Sequence, residues 1–331
     1  MVRLLQLVLV AAGVTLLVVL VRSIGLAEIL TDLRHFGIGL VGVVAFELLL
    51  DGCNTLGWRA TIAAPLPIGF WRLFWVRQAG TAVNQLTPTA SIGGEVVKAM
   101  LLRPRLAMSE AVASLVAAKG SFALAQASLV LLGLTAVLGR LRDTPAMATG
   151  VVLGFGATLT GVIGFVVLQR RGMFSALATG AARLGMQGPY IARLRARSAA
   201  LDGHLAAFYR ERPGAFARSV GWHFAGQMVG LCQLLFIFAW LGTPASFATC
   251  LAIEAFALVI DSALFFVPGR IGVQEGGRVA IFTALGLGAA TGLTVALIVR
   301  LNQLAVAGLG LAAFGYFSLT STRLAGSASG T

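Results

Sequence analysis

The chain carries the stretch Pro88-Thr-Ala-Ser-Ile-Gly-Gly-Glu95-Val-Val-Lys98, whose pattern returns as Pro268-Gly-Arg-Ile-Gly-Val-Gln-Glu275-Gly-Gly-Arg278. In both stretches a proline, a glutamate and a basic residue keep the same spacing. Each stretch interrupts an apolar region with glycines and charges, which are costly inside a membrane and usually serve a function there. Interrupted segments at corresponding places in two halves of a chain are typical of transporters. The two stretches therefore predict a transporter-like membrane protein with two related halves.

The composition excludes a soluble protein with a single core. Of the 331 residues, 58% are hydrophobic and only 11% are charged, and the mean hydropathy is +0.91. Several apolar runs are long enough to cross about 30 Å of hydrocarbon as helices. They lie near residues 4–21, 36–57, 109–139, 147–168, 219–241, 245–267 and 291–319. We therefore predict an all-α, polytopic integral membrane protein with about six full transmembrane helices and two re-entrant helical hairpins.

The formal net charge of +13 would suggest a nucleic-acid partner if the protein were soluble. Most of this charge comes from arginines beside apolar runs, so we expect anionic lipid headgroups as partners and no nucleic acid. The cysteines and histidines are scattered, and none has a neighbour at the spacing of a metal site, a disulfide framework or a catalytic triad. We expect no metal, no cofactor and no catalytic residue. The chain also lacks a Gly-x4-Gly-Lys-Ser/Thr motif, which argues against direct coupling to ATP.

The arginines also orient the chain. Nine arginines and only two acidic residues lie between 170 and 218, so this segment should be cytoplasmic. Counting helices backwards places Arg72, Arg77 and both flanks of residues 78–102 on the cytoplasmic side, and the first hairpin then enters from inside. Counting forwards makes residues 245–288 begin and end outside, so the second hairpin enters from the opposite face. The two hairpins should form an inverted-topology repeat.

This topology predicts one transmembrane domain, residues 1–325, in the bacterial inner membrane with both termini in the cytoplasm. The tail 326–331 is expected to be disordered. Between 173 and 212 the arginines, alanines and leucines follow a helical pattern with a break at Gly188-Pro189. This segment is either an amphipathic helix on the inner leaflet or a solvated linker that obeys the positive-inside rule.

Both hairpins have the features of a broken helix. Pro88 and Pro268 cannot donate a backbone hydrogen bond and disfavour helix in the residue before them, while the following glycines permit sharp turns. The N–H groups at a half-helix end favour an anionic group such as phosphate, to which Arg270 would add a bidentate contact. Alternatively, the prolines and glycines mark only kinks. The residues expected to bind or move a substrate are Asn84, Pro88, Gly93, Gly94, Glu95, Lys98, Pro268, Gly269, Arg270, Gly272, Glu275 and Arg278.

Each hairpin also carries a potential ion pair. Glu95 and Lys98, like Glu275 and Arg278, are three residues apart and share a helical face. Such pairs either clamp each hairpin or contact the substrate directly. If the base is drawn to a phosphate, the glutamate becomes a candidate proton site, so proton coupling is an open alternative.

Further charges lie inside predicted helices. Glu47 and Asp51 are one turn apart and Glu254 and Asp261 two turns apart, and charged faces of membrane helices normally look into the protein or a water-filled cavity. Lys119 and Arg59 are candidate counter-ions, and Asn302 would hydrogen-bond a headgroup or a neighbouring helix. The expected supporting residues of the cavity are Glu47, Asp51, Arg59, Lys119, Glu254, Asp261 and Asn302. The pair Gly226-x-x-x-Gly230 permits close helix packing and is compatible with a homodimer.

Two blocks of the chain resemble the signatures of the lysylphosphatidylglycerol synthase transmembrane, or flippase-like, family. They are Asn84-Gln-Leu-x-Pro88 to Gly93-Gly94-Glu95-x-x-Lys98, and Val267-Pro268-Gly-x-Ile-Gly272-Val-x-Glu275. The resemblance spans nearly the whole chain. It implies a polytopic fold with paired re-entrant hairpins and, as in the aminoacyl-lipid synthases, movement of a charged phospholipid between leaflets. The size and the arginine-rich central segment are similar to those of stand-alone members associated with hopanoid biosynthesis.

Two departures from the family pattern bear on function. The synthases carry a large soluble acyltransferase-like domain after the membrane region, whereas this chain ends just past its last helix, so we expect no aminoacyl transfer. The second signature often reads Pro-Gly-Gly, but this chain has Pro268-Gly269-Arg270. The added arginine would alter headgroup choice or extend to the membrane interface.

We therefore predict a lipid transporter or flippase whose cavity contains Glu95, Lys98, Arg270, Glu275 and Arg278. Its lipid would be a phospholipid, a hopanoid or a polyprenyl-linked lipid. Two alternatives remain. One is a non-catalytic scaffold of a lipid-synthesis complex, and the other is a membrane enzyme that acts on a lipid-linked sugar with one of the four supporting carboxylates as base.

Overall fold

A computed structural model describes residues 22, 31, 34–63, 68–86, 92–138, 145–184, 189–263 and 272–328. These residues form helices, turns and short loops, and they contain no strand. Their helices, in chain order, are α1 (Gly39–Thr61), α2 (Phe70–Leu86), α3 (Ile92–Leu102), α4 (Met108–Leu138), α5 (Pro145–Arg170), α6 (Met173–Arg183), α7 (Pro189–Glu211), α8 (Pro213–Trp240), α9 (Phe247–Ala263), α10 (Val273–Ala284) and α11 (Ala289–Ala328). The all-helical prediction is confirmed for this part of the chain.

Five of the described helices are long and apolar enough to cross a membrane, namely α1, α4, α5, α8 and α11. The prediction of a multi-pass membrane protein is therefore confirmed. The apolar run 4–21 lies outside the described residues. The run 245–267 contains α9, which has 17 residues. At the helical rise this gives a length of about 26 Å, somewhat less than the hydrocarbon thickness.

The order of helix lengths recurs along the chain. Helix α2 has 17 residues, α3 has 11 and α4 has 31. The series returns as α9 with 17 residues, α10 with 12 and α11 with 40. The connections 87–91 and 264–271 inside the two series, each with its proline, lie outside the described residues. Each series follows a long apolar helix, α1 in the first case and α8 in the second.

The packing of the two series is reciprocal. The last helix of the second series, α11, packs on the first helix of the first series, α2. Likewise, the last helix of the first series, α4, packs on α9. Each crossing has a close-approach glycine, since a Cβ on Gly310 would lie 2.4 Å from the Gln78 carbonyl oxygen, and one on Gly133 would lie 2.2 Å from the Ala255 Cβ. Within each series the short helix also packs on both of its partners.

Helices α1 and α8 form the central pair and run antiparallel. Near one end of the pair, Gln233 Nε2 donates to the Val43 carbonyl over 2.8 Å, and near the other, Ser219 Oγ donates to the Gly57 carbonyl over 2.8 Å. Gly226 and Gly230 of α8 face α1 in this contact. The close helix packing that the sequence allowed at these two glycines is therefore found within the chain, where Leu50 of α1 lies against both.

The arginine-rich segment forms α6 and α7, and α7 begins at Pro189, as the Gly188-Pro189 break predicts. Helix α7 buries Leu201, Leu205 and Phe208 against α4. The Asp202 carboxylate accepts hydrogen bonds from the backbone N–H groups of the first α6 turn at 3.2 and 2.7 Å. The segment is therefore attached to the transmembrane helices. At the other end of the chain, α11 continues to Ala328, three residues into the predicted tail.

Candidate functional site

The first candidate site lies where α3 begins, against α2 and α4. Glu95, in the first turn of α3, accepts a hydrogen bond from Lys98 Nζ at 3.0 Å and from Lys119 Nζ of α4 at 3.1 Å. The Lys98 side chain is buried, whereas the Lys119 side chain is 49% exposed. The second carboxylate oxygen of Glu95 is buried without a hydrogen-bond donor. The predicted Glu95–Lys98 ion pair is confirmed, and Lys119 joins it.

Close backbone packing places this site. Gly80 of α2 leaves room for the Lys98 side chain, because a Cβ there would lie 2.4 Å from Lys98 Cγ. The Asn84 side-chain oxygen Oδ1 accepts a 2.6 Å hydrogen bond from the backbone N–H of Gly94. Asn84 therefore occupies one N–H at the start of α3, the kind of donor that the sequence assigns to a phosphate. Gly93 precedes it in the same first turn.

The second candidate site lies where α10 begins, against α11. Glu275 is 1% exposed and accepts hydrogen bonds from Arg300 Nε at 2.8 Å and Nη2 at 2.7 Å. Its other oxygen accepts a 2.7 Å hydrogen bond from the backbone N–H of Gly272, which begins the helix at a φ of 76° that favours glycine. Every oxygen of this carboxylate thus has a donor.

The two sites are equivalent in the repeated order of helices. In each, a glutamate in the first turn of the short helix pairs with a base on the following long helix. Lys119 is the twelfth residue of α4, and Arg300 is the twelfth residue of α11. The sequence analysis missed Arg300. The signal was present, because a basic residue follows Glu95 by 24 positions and Glu275 by 25 positions.

Arg278 differs from the prediction. Within the described residues it forms no ion pair with Glu275, which is engaged by Arg300 instead. Arg278 interacts electrostatically with Glu254 of α9, and its Nη1 is buried without a hydrogen bond. It lines a small cleft between α9 and α10 together with Asp261 and Gln274. Gln274 Nε2 donates to both Asp261 oxygens at 3.3 Å. Glu254 and Asp261 thus lie on one side of α9, as the sequence predicted, and Arg278 lies with them although the sequence had paired it with Glu275.

The carboxylates of α1 find partners other than those predicted. Asp51 is 4% exposed, forms an ion pair with Arg77 and accepts a 2.6 Å hydrogen bond from Gln78 Nε2. The predicted counter-ions Arg59 and Lys119 are not its partners. Sequence reasoning had placed Arg77 at the cytoplasmic border, but α2 carries its side chain to Asp51, where it is only 16% exposed. Arg77 is therefore a site residue that the sequence analysis missed.

Glu47 joins both halves of the molecule. Its Oε2 accepts hydrogen bonds from Gln233 of α8 at 3.2 Å and from Asn302 of α11 at 3.0 Å. Glu47 also interacts electrostatically with Asp51 and Arg77. Asn302, which is 1% exposed, thus acts as a contact between helices in this structure, one of the two roles considered for it. Pro88, Pro268, Gly269 and Arg270 lie outside the described residues.

The histidines and cysteines do not converge. His223 Nδ1 lies 2.8 Å from the Asn54 side-chain oxygen, and the ring packs edge-on against Phe122. In the described parts of the chain, no three His, Cys, Asp or Glu side chains are grouped to hold a metal ion. The chemistry of the site is therefore that of buried carboxylates, amides and bases, which can bind ions and charged headgroups or exchange protons.

The profile of the family described as Lysylphosphatidylglycerol synthase TM region matches residues 3–310. A UPF0104 membrane protein from Methanothermobacter thermautotrophicus is 33% identical over 117 residues, which are 34% of this chain and 35% of that protein. The match thus spans about a third of the relative's length. No solved structure matches the chain.

Proposed function

The chain belongs to the lysylphosphatidylglycerol synthase TM-region family, and we propose that it moves a lipid with a charged headgroup between the leaflets of the bacterial inner membrane. The headgroup would pass through the polar cavity while the acyl or polyprenyl tails stay in the bilayer. The protein would act without covalent chemistry on the lipid and with both termini in the cytoplasm. Phospholipids, hopanoids and polyprenyl-linked lipids are the candidate substrates.

The observation that carries this proposal is the pair of equivalent ion pairs, Glu95 with Lys119 and Glu275 with Arg300. Helices of 11 and 12 residues are about 17 and 18 Å long, too short to cross the hydrocarbon, so each is read as the second arm of a re-entrant hairpin. Each hairpin then carries a glutamate and a base to membrane depth, and the glutamate is fully buried in the second hairpin. Such charges are expensive there and are retained for substrate or ion pathways.

The antiparallel packing of α1 and α8 supports an inverted repeat. If α1 and α8 are equivalent helices of the two halves, the operation that relates them reverses the helix direction. A two-fold axis perpendicular to both helices has this effect, and for membrane-spanning helices this axis lies in the membrane plane. The hairpins would then open to opposite faces around a common site, which is the arrangement needed for alternating access.

The ion pairs suggest how a headgroup is received. A phosphate that reaches Lys119, whose side chain is half exposed, competes with Glu95 for the same ammonium group. The second pair is fully hydrogen-bonded and buried, so it is the closed counterpart of the first. If the first site closed while the second opened, a headgroup would be exposed first to one leaflet and then to the other.

Reconstituted vesicles test this function. Purified protein is placed in liposomes that carry a trace of fluorescent phospholipid, hopanoid or polyprenyl phosphate, and the fraction reached by an impermeant quencher is followed. We expect faster equilibration of at least one lipid with the wild-type protein than with the Glu95→Gln, Glu275→Gln double variant at equal amounts of folded protein. Glu211→Gln, an exposed carboxylate of α7, is the matched control and should behave as wild type.

Two results would contradict the proposal. One is the absence of movement for every lipid in the panel. The other is unchanged movement in the double variant, which would remove the two glutamates from the pathway. A double variant that still supports the cellular role of the protein while no lipid moves would favour a scaffold.

A further inference from the structure

A further group of polar residues lies where α1, α2, α8 and α11 meet. We define the Glu47 cluster as Glu47, Asp51, Arg77, Gln78, Gln233 and Asn302. Two buried side-chain amides in this cluster have a hydrogen-bond partner for the nitrogen but none for the oxygen. Gln78 donates through Nε2 to Asp51 and Asn302 donates through Nδ2 to Glu47, while Gln78 Oε1 and Asn302 Oδ1 are buried without a donor. Both residues are 1% exposed.

The orientation of these amides is fixed by their partners. Turning either amide over would bring its oxygen against a carboxylate oxygen, so the amide nitrogen must face the acid. The unpaired oxygens are therefore a property of the cluster. A buried acceptor without a donor is costly, and a bound water molecule or a cation would satisfy it.

The charge of the cluster favours a cation as the bound group. Asp51 and Arg77 cancel each other, and Glu47 has only the amides of Gln233 and Asn302 as hydrogen-bond donors. With Glu47 ionised, the cluster thus carries one uncompensated negative charge, and Arg77 is the base that acts electrostatically on Glu47.

The surrounding titratable groups do not remove this charge. Glu95, Lys98 and Lys119 together carry one positive charge, but they are joined to each other, and the surplus ammonium on Lys119 is half exposed and screened by solvent. His223 of α8 has its Nδ1 engaged by the Asn54 side-chain oxygen and is not a hydrogen-bond partner of Glu47.

We propose that the Glu47 cluster binds one monovalent cation, Na⁺ or a proton. A single positive charge neutralises Glu47. The two unpaired amide oxygens are hard oxygen ligands of the kind that suits Na⁺, whereas a proton would reside on the Glu47 carboxyl group itself. A divalent ion is disfavoured, because Ca²⁺ sites use several carboxylates and one of the two here is engaged by Arg77. Because Glu47 contacts α8 and α11 as well as residing on α1, the cation fastens the two halves together.

A coupling role for this cation rests on the proposed lipid transport, whereas its binding does not. If the halves move against each other during transport, the contacts of Glu47 with α8 and α11 change, and so does the affinity for the cation. A gradient of that cation then drives the lipid in one direction, since a ligand shifts a conformational equilibrium by its differential affinity.

Thermal unfolding of the purified protein tests the binding. At about pH 8, replacing about 150 mM choline by Na⁺ keeps the ionic strength constant and is expected to raise the wild-type Tm by about 3 °C or more if Na⁺ is the ligand. If the proton is the ligand, lowering the pH from about 8 to about 5.5 in choline raises the wild-type Tm relative to Glu47→Gln by a similar amount. Glu110→Gln, an exposed carboxylate in the first turn of α4, is the control and should keep the wild-type response.

Each outcome has a defined meaning. A Na⁺ or pH response that Glu47→Gln removes and Glu110→Gln keeps supports the site and identifies the cation. A wild-type Tm that follows neither Na⁺ nor pH overturns it, even if Glu47→Gln does not fold. Equal responses in wild type and Glu47→Gln overturn it as well. Lipid movement without any cation response would overturn the cation site and leave the transport proposal intact. A cation response without lipid movement would support the cation site and contradict the transport proposal.

Discussion

Arg300 and Arg278 have different partners, so their substitutions should affect stability differently. Glu275 is almost fully buried and receives two hydrogen bonds from Arg300, so Arg300→Gln leaves a buried carboxylate without its counter-ion. We expect this variant to lose about 3–5 kcal/mol of unfolding free energy. Arg278→Gln should lose less than Arg300→Gln, because Arg278 acts on Glu254 only electrostatically and makes no ion pair with Glu275, whereas Arg300 makes two direct contacts with its carboxylate.

The measurement is the thermal unfolding of both variants in the same detergent, with Arg300→Lys as a third variant. Lysine keeps the charge but cannot reproduce the two-nitrogen contact, so it should fall between wild type and Arg300→Gln. A larger loss of unfolding free energy for Arg278→Gln than for Arg300→Gln would contradict this assignment and favour the Glu275–Arg278 pair that the sequence had predicted.

Tyr209 gives a prediction about alkaline pH. Its hydroxyl donates a 2.6 Å hydrogen bond to Gln169, which is 0% exposed, and burial raises the pKa of Tyr209 to about 12 despite the nearby Arg170. The folded protein thus holds the phenol proton more tightly than the unfolded chain does. The associated stability is complete below about pH 10 and is lost as the pH rises towards 12.

Tyr209→Phe should therefore lower stability by about 1–3 kcal/mol at neutral pH, because Gln169 loses its donor, and the loss should shrink between about pH 10 and 12. Unfolding of the two proteins over this pH range checks the effect. Parallel curves for wild type and variant would show that the hydroxyl is not linked to folding through this hydrogen bond.

At the scale of the helices, two glycines hold the crossings of the repeated series. A Cβ on Gly310 would collide with the α2 backbone at Gln78, and a Cβ on Gly133 would collide with α9 at Ala255. Gly310→Ala and Gly133→Ala should each cost about 1–3 kcal/mol, because the helices must move apart. Gly308 lies on α11, as Gly310 does, and Gly154 lies on α5. A Cβ added to either of these two glycines would have no neighbouring atom within 4 Å.

The matched controls Gly308→Ala and Gly154→Ala should be neutral or gain up to about 1 kcal/mol, because alanine is the better helix former. Thermal unfolding distinguishes the two classes. If all four substitutions behave alike, the two crossings are looser than the structure has them.

Helix positions were predictable from sequence, but helix partners were not. The apolar runs locate α1, α4, α5, α8 and α11, because a helix that faces lipid must be apolar along its length. The Glu95–Lys98 pair was also predictable, since residues three apart share a helical face. Contacts such as Glu47 with Asn302, separated by 255 positions, depend on which helices pack together.

The same reason explains the missed bases. Arg77 was read as a border charge, because a count of arginines cannot tell that α2 directs this side chain to Asp51. Arg300 lies in an apolar helix with no acidic residue one turn away, so its partner Glu275 is visible only once α10 and α11 are packed. Recurrent spacing in the two halves was the signal that sequence offered.

At the scale of the whole molecule, charge and symmetry make one joint prediction. The exposed turn after α3 contains Arg103 and Arg105, which favours the cytoplasmic side, whereas the equivalent turn after α10 has no charge. An inverted repeat therefore places the end of α3 and the end of α10 on opposite faces of the membrane. A parallel repeat would place both ends on the same face.

Single cysteines at these two ends decide between the arrangements. Arg103→Cys and Ala284→Cys replace exposed residues, in a background where the exposed Cys232 is serine and the buried Cys53 and Cys250 are kept. An impermeant maleimide applied to intact cells should label Ala284→Cys, and it should label Arg103→Cys only after the membrane is opened. Both must react after solubilisation, which shows that each thiol is reachable. Labelling of both from the same side would rule out the inverted repeat, because a two-fold axis in the membrane plane cannot leave equivalent ends on one face.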